Sequence, residues 1–104
     1  MSITGKKVRL TYDSGMKIDA HYVSESEVRW HAHTGPAAGQ DGAEQCQVAE
    51  VAPGMYFVNW IEAPATVLSQ VLDFNSMTVT LFAAFRAGDG MQGFLSRGTV
   101  DMLD

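Results

Sequence analysis

The sequence predicts an all-β protein, built as an antiparallel up-and-down barrel or a strongly curled sheet of about eight strands. Short apolar-rich runs alternate with turn signals along the chain, at the spacing of consecutive strands. Several runs alternate apolar and polar residues with a period of two, which is typical of strands buried on one face. Helix signals are weak. Residues 63–72 come closest, and their β-branched residues and Pro64 argue against a helix.

The first three predicted strands are each bounded by turn residues. Residues 7–12 lead into Asp13-Ser14-Gly15, a tight turn of the kind that joins hairpin strands. Residues 16–23 show the clearest apolar–polar alternation in the chain. Ser24-Glu25-Ser26 then turns the chain into residues 27–33, where apolar and charged side chains alternate again.

The remaining strands follow a glycine-rich segment, residues 34–42, which we predict to be a loop because it is the longest stretch without a strand pattern. Pro53-Gly54 turns the fourth strand into the fifth, and Ala63-Pro64-Ala65 breaks the pattern after it. Eight strands enclose an interior that is just wide enough for side chains or one small ligand. The last five predicted strands are residues 44–51, 56–62, 67–74, 77–85 and 92–102.

The fifth strand gives the strongest indication of a binding site. Its period of two places Tyr56, Val58, Trp60 and Glu62 on one face. A carboxylate among aromatic rings is paired, is solvated at the mouth of a cavity, or is held in its neutral form. This arrangement predicts a pocket, although it does not name the ligand.

Composition narrows the possible partners. A chain of 104 residues is expected to form one domain, residues 1–104. The net charge of −5 disfavours binding to nucleic acid or to an anionic membrane surface. No apolar run approaches the ~20 residues that span a bilayer, and the N-terminus lacks a secretory signal. The single Cys46 excludes an internal disulfide and favours the cytoplasm. We therefore expect a small-molecule ligand or a second copy of the chain, with no cofactor.

Three segments resemble a known group of proteins. They are residues 11–15 (Thr-Tyr-Asp-Ser-Gly), the Thr34-Gly35 and Ala38-Gly39 pairs, and residues 54–62 (Gly-Met-Tyr-Phe-Val-Asn-Trp-Ile-Glu). In this order and spacing they resemble the phenolic acid decarboxylases and, more closely, the MoaF-like domains. The resemblance covers most of residues 7–85. It implies a lipocalin-like β-barrel with a ligand cavity, usually packed as a dimer.

The resemblance also implies site residues. In the decarboxylases two tyrosines on the first strand and an arginine in the glycine-rich loop hold the substrate carboxylate, and a glutamate protonates the intermediate. The second tyrosine falls on Tyr12 and the glutamate on Glu62. The first tyrosine falls on Leu10 and the arginine near Gln40. These two departures remove the charge-assisted carboxylate clamp, so decarboxylation of a hydroxycinnamate is not expected.

The candidate site combines this pair with inward-facing neighbours. Tyr12 and Glu62 are the candidate catalytic residues, since a phenol and a carboxyl facing one cavity can orient a substrate and exchange a proton. A purely structural hydrogen bond between them is the alternative. Gln70 lies between apolar residues on the inward face of its strand, so its amide needs a hydrogen-bond partner. This partner could be the ligand, Glu62 or a water. The aromatic walls could equally be simple core. The candidate ligand-binding residues are Tyr22, Trp30, Trp60, Gln70, Leu72, Val79 and Leu81.

Two further features are given structural interpretations. His31 and His33 lie on the face opposite Trp30, so we expect them on the outer surface or at an interface, with no metal. Cys46 has no histidine beside it in a sequence motif and is expected to be a buried, inert thiol.

Three functions fit this pattern. The first is a barrel that binds a small apolar or aromatic molecule, whose polar end is fixed by Glu62, Tyr12 and Gln70. The second is a cofactor-free lyase or isomerase, with Glu62 as general acid or base and Tyr12 orienting the substrate. The third is an interaction module with a solid interior. The outward-facing Phe57, Ile61 and Phe82 also suggest a homodimer.

Overall fold

The computed structural model describes residues 2–35, 37–62 and 65–103. These residues form eight β-strands, and among them no helix has the length and apolar character needed to cross a bilayer. The strands are β1 (Lys7–Tyr12), β2 (Lys17–Tyr22), β3 (Glu27–Ala32), β4 (Asp41–Ala52), β5 (Met55–Glu62), β6 (Thr66–Asp73), β7 (Thr78–Ala87) and β8 (Gly90–Met102).

The strands close into an up-and-down barrel. Each strand pairs antiparallel with the next along the chain, and β8 pairs with β1 through a register that sets Leu10 opposite Val100. This arrangement confirms the predicted all-β antiparallel barrel of eight strands. Because the barrel is closed, none of the eight described strands is an edge strand.

The period of two separates an inner and an outer face. On β1, Val8, Leu10 and Tyr12 are buried, whereas the residues between them are partly exposed. On β5, Val58 and Trp60 are buried, whereas Ile61 is 71% exposed. The core is therefore the inside of the barrel, as the alternation predicts.

One end of the barrel is closed by the N-terminal segment. Ile3 is fully buried, and the backbone of residues 5 and 6 bonds to that of Tyr22 at the end of β2. The Tyr56 and Phe74 rings pack edge to face at the same end, 5.9 Å between centroids. The closed end of the barrel interior is thus filled with side chains.

The structure moves several predicted strand boundaries by one to three residues, and two of these shifts are informative. The glycine-rich segment is shorter than predicted, because β4 begins at Asp41 rather than at residue 44. Gly42 pairs with Trp30 across β3 and β4, and its lack of a side chain leaves room for the Trp30 indole, which any β-carbon there would overlap. β7 begins at Thr78 because Met77 still belongs to the turn, with a left-handed φ of 58°. Pro36 and the predicted break at Ala63-Pro64 lie outside the described residues.

Candidate functional site

The open end of the barrel contains a cavity of about 970 Å³. Its walls are largely apolar, with aromatic rings from five residues and aliphatic side chains between them. Exposed residues such as Thr34 and Arg86 lie at its rim. The aromatic lining residues are Tyr12, Trp30, Trp60, Phe85 and Phe94. A cavity of this size and character is typical of small-molecule sites.

Three buried polar side chains lie where the cavity meets the packed core. The Tyr22 hydroxyl donates to Oε1 of Gln70 over 2.9 Å, and Nε2 of Gln70 donates to the Tyr12 hydroxyl over 3.3 Å. Tyr12 and Gln70 line the cavity, whereas Tyr22 is fully buried behind them. Burial raises the pKa of the Tyr12 and Tyr22 phenols above the usual range. Both hydroxyls are therefore neutral at physiological pH.

Tyr12 reaches this position because β8 approaches β1 closely. Tyr12 pairs with Gly98, and any β-carbon at Gly98 would overlap the Thr11 carbonyl oxygen. Glycine is the residue that allows two backbones to meet this closely. Gly98 thus helps to hold Tyr12 at the inner end of the cavity.

Each tryptophan of the wall is held by a carboxylate. Nε1 of Trp30 donates to Oε2 of Glu44 over 3.1 Å, and Nε1 of Trp60 donates to Oε2 of Glu62 over 2.8 Å. Because an indole N–H is only a donor, these bonds satisfy both rings and fix their orientation in the wall.

Glu62 lies at the mouth of the cavity, away from Tyr12. It pairs with Thr66 across β5 and β6, and Thr66 is four residues along β6 from Gln70. At ~3.3 Å per residue, that separation along the strand is about 13 Å. No hydrogen bond in the described part of the chain joins Tyr12 to Glu62. The two candidate catalytic groups share the cavity but lie toward opposite ends of it.

The structure brings most of the predicted site residues to one cavity. Tyr12, Glu62, Trp30, Trp60, Gln70 and Leu81 all line it. Tyr22, Leu72 and Val79 are instead buried in the packed core at the closed end, outside the lining formed by the described residues. Of these three, Tyr22 is joined to the cavity through Gln70.

Some lining residues were not predicted from the sequence. Phe94 follows the inward parity of β8, so the alternation of residues 92–102 could have identified it. Arg86 has the parity of Phe82, which faces outward on β7, and it reaches the rim only where the strand enters its turn. Gln40, which occupies the position of the family arginine, is exposed and is absent from the described lining.

His31 and His33 lie on the outer wall, where each bonds to an aspartate. Nδ1 of His31 contacts Asp41 over 2.6 Å, and Nε2 of His33 contacts Asp19 over 2.8 Å. Asp19 also accepts two hydrogen bonds from Arg9, and these bonds chiefly lower its pKa to about 2. No group of three or more histidine, cysteine or acidic residues is placed to hold a metal ion among residues 2–35, 37–62 and 65–103.

Cys46 is buried on β4 opposite Trp60. Burial raises the pKa of its thiol, which keeps the sulfur in the less reactive protonated form. This environment is that of an inert thiol.

A small closed barrel with an apolar cavity and few inward polar groups defines the lipocalin-like class of barrel proteins. Within that class, the sequence matches the family model described as MoaF-like over residues 4–96, and the chain belongs to this family. The resemblance seen in the sequence is thereby confirmed.

One solved structure with the same fold comes from Burkholderia vietnamiensis and is provisionally described as a beta-lactamase. The two share 23% sequence identity with a TM-score of 0.84, over 99% of this chain and 97% of that chain. At this identity the likeness shows the fold alone. A comparison with curated proteins finds no match.

Proposed function

We propose that this protein binds a small, largely apolar or aromatic molecule inside its barrel. The observation that carries this proposal is the cavity of about 970 Å³, whose apolar walls are interrupted by only a few polar groups. Tyr12 and Gln70 would fix the polar end of the ligand at the inner end, and Glu62 would contact a polar group at the mouth. Burial of the apolar body would supply most of the affinity.

The test is a fluorescence titration with N-phenyl-1-naphthylamine, a neutral aromatic probe whose emission rises in apolar sites. The chain has two tryptophans, Trp30 and Trp60, and both line the cavity. Probe binding is therefore expected to quench the whole tryptophan emission while the emission of the probe rises to saturation.

Two neighbouring alanines provide a matched pair of variants. Ala83 lines the cavity, whereas Ala84 has outward parity on the same strand. Ala83→Leu is expected to weaken probe binding by roughly tenfold, because its side chain occupies ligand space. Ala84→Leu should bind as the unchanged protein does. Equal loss in both variants, or no saturable binding at all, would contradict the proposal.

The alternative function is a cofactor-free lyase or isomerase that uses Glu62 as general acid or base and Tyr12 as orienter. The separation of these groups and their different hydrogen-bond partners favour binding over this reaction. Turnover of an α,β-unsaturated aromatic acid that falls in both Glu62→Gln and Tyr12→Phe would favour the enzyme instead.

We also propose that the protein is a cytoplasmic homodimer. The outer wall of β5 to β8 carries exposed apolar side chains, and we call this surface the apolar outer face. Contiguous exposed apolar surface of this kind is typical of interaction sites. Cytoplasmic placement rests on the single cysteine, which suits a reducing compartment. The apolar outer face consists of Phe57, Ile61, Val67, Phe82 and Leu95.

A further inference from the structure

The chain of hydrogen bonds from Tyr22 through Gln70 to Tyr12 has a direction. Tyr22 is fully buried, and its described side-chain partner is Gln70. An amide has a donor end and an acceptor end, so each orientation of Gln70 forces a different role on each hydroxyl. The native orientation is the one that leaves every buried group with a partner.

The buried end of the chain decides this orientation. If Nε2 of Gln70 faced Tyr22, the Tyr22 hydroxyl proton would have no acceptor in the described core, and a buried donor without a partner is costly. With Oε1 facing Tyr22, that proton is used, and Nε2 donates to Tyr12 instead. Tyr12 then accepts from Gln70 and keeps its own proton free. A ligand in the cavity can accept this proton. The series of hydrogen bonds therefore ends in a donor, the Tyr12 hydroxyl, that faces the cavity.

The inner end of the cavity also lacks positive charge. Arg86 is the only lysine or arginine among the described residues that line the cavity. It lies five residues along β7 from Leu81, which pairs with Gln70, and this separation is about 17 Å along the strand. An ionised carboxylate buried without a cation loses its hydration with little in return. An anionic group is therefore disfavoured beside Tyr12.

We infer that the inner end of the cavity recognises an uncharged hydrogen-bond acceptor, such as the carbonyl of a ketone, aldehyde or ester, and that Tyr22 sets this preference by fixing the Gln70 amide. Tyr12 contacts the ligand, and Tyr22 is a positioning residue behind the cavity. This inference rests on the proposed function, since it requires that the cavity binds a ligand.

Calorimetric titration with three naphthalene probes tests the inference. 2-Acetylnaphthalene carries a carbonyl, 2-ethylnaphthalene has nearly the same shape without an acceptor, and 2-naphthoate is an anion at pH 7. The unchanged protein should bind the ketone roughly fivefold more tightly than the ethyl compound, which corresponds to one net neutral hydrogen bond. It should bind the naphthoate more weakly than either.

Three tyrosine-to-phenylalanine variants then separate the roles. Tyr12→Phe should remove the preference for the ketone while the affinity for the ethyl compound is retained. Tyr22→Phe should reduce the same preference although Tyr22 does not line the cavity, because Gln70 can then present its oxygen to Tyr12. Tyr56→Phe removes a hydroxyl elsewhere in the core and should leave the preference unchanged. The ratio of two affinities within one variant does not depend on its folded fraction. If Tyr22→Phe does not fold, Tyr12→Phe still shows whether the Tyr12 phenol recognises a hydrogen-bond acceptor on the ligand.

The outcomes distinguish this inference from the proposed function. No binding of any of the three probes would overturn both. Binding without a preference for the ketone, or tighter binding of the naphthoate, would overturn the inference alone. A preference that persists in Tyr12→Phe would also overturn it. A preference that is lost in Tyr12→Phe but unchanged in a folded Tyr22→Phe would overturn the role of Tyr22.

Discussion

Tyr12 is held by its surroundings as a neutral hydrogen-bond donor. Burial raises the pKa of its phenol, and the bond from Gln70 opposes this rise only in part. A phenol in this state can orient a ligand but cannot take up a proton as a base at neutral pH. Glu62 has a different task, because its carboxylate already accepts the Trp60 indole N–H at the mouth. These two residues suit a binding site with two separate polar ends.

On the outer wall, Asp19 makes the stability of the protein depend on pH in the acid range. The Arg9 bonds lower its pKa from 3.8 to about 2. Its stabilising contribution is complete above the unfolded pKa and is lost as the pH falls from about 4 to 2. The Asp19→Asn variant lacks this titrating group. Between pH 5 and pH 2, the free energy of unfolding of the variant should therefore fall less than that of the unchanged protein, and the difference should be on the order of 1 kcal/mol after solvent screening. Urea denaturation at each pH measures the difference.

The matched control for Asp19 is Asp13→Asn, at an exposed carboxylate without an ion pair in the described part of the chain. It should follow the acid dependence of the unchanged protein. If Asp19→Asn loses stability below pH 4 as steeply as the unchanged protein does, the Arg9–Asp19 pair does not stabilise the barrel as described.

Among the strands, the seam between β1 and β8 depends on Gly98. A methyl group there would overlap the Thr11 carbonyl oxygen and would lie 2.8 Å from Cα of Tyr12. Because the overlap involves backbone, a side-chain rotation cannot relieve it. Gly98→Ala should therefore lower the free energy of unfolding by about 3 kcal/mol, as measured by urea denaturation.

Gly90→Ala is the control on the same strand, because a β-carbon there meets nothing within 4 Å. It should change stability by less than about 0.5 kcal/mol. Equal stability of the two alanine variants would mean that the seam does not need the close approach at Gly98.

The strands themselves were largely predictable from local pattern, because alternation and turn residues act over a few positions. The start of β4 was not, since residues 41–43 extend the strand by pairing with β3, and the local glycine-rich sequence does not show this pairing. The partners of Gln70 were also beyond local reasoning, because Tyr22 and Tyr12 are 48 and 58 residues away in sequence. Parity placed Trp60 and Glu62 on the inner face correctly, but it could not place Arg86, which lies where the strand pattern ends.

The whole barrel divides into a filled end, a hollow end and an exposed outer surface on β5 to β8. The inward residues of β1 to β3 take part in both the packed end and the cavity wall, so the fold and the candidate site share the same strands. The apolar outer face lies on the opposite side of the β5 to β8 wall from the cavity. Ile61 and Val67 pair across it, as do Phe82 and Leu95.

If the apolar outer face joins two copies, a charge within it should separate them. Ile61 is 71% exposed in the single chain, and Ile61→Lys would place an ammonium group in the proposed interface. We expect sedimentation equilibrium to give a dimer for the unchanged protein and a monomer for Ile61→Lys. Val51→Lys, at an exposed apolar residue outside this face, should stay dimeric. A monomeric unchanged protein would contradict the proposed homodimer.

The location of a bound ligand is best measured by nuclear magnetic resonance of the labelled protein during titration with 2-acetylnaphthalene. The indole N–H signals of Trp30 and Trp60 and the side-chain amide signals of Gln70 should all shift on binding, because the three residues line one cavity. The side-chain amide of Asn59, which accepts the Ser69 hydroxyl, should not shift. Shifts confined to the outer wall, with both indoles and Gln70 unchanged, would show that the interior of the barrel is not the binding site.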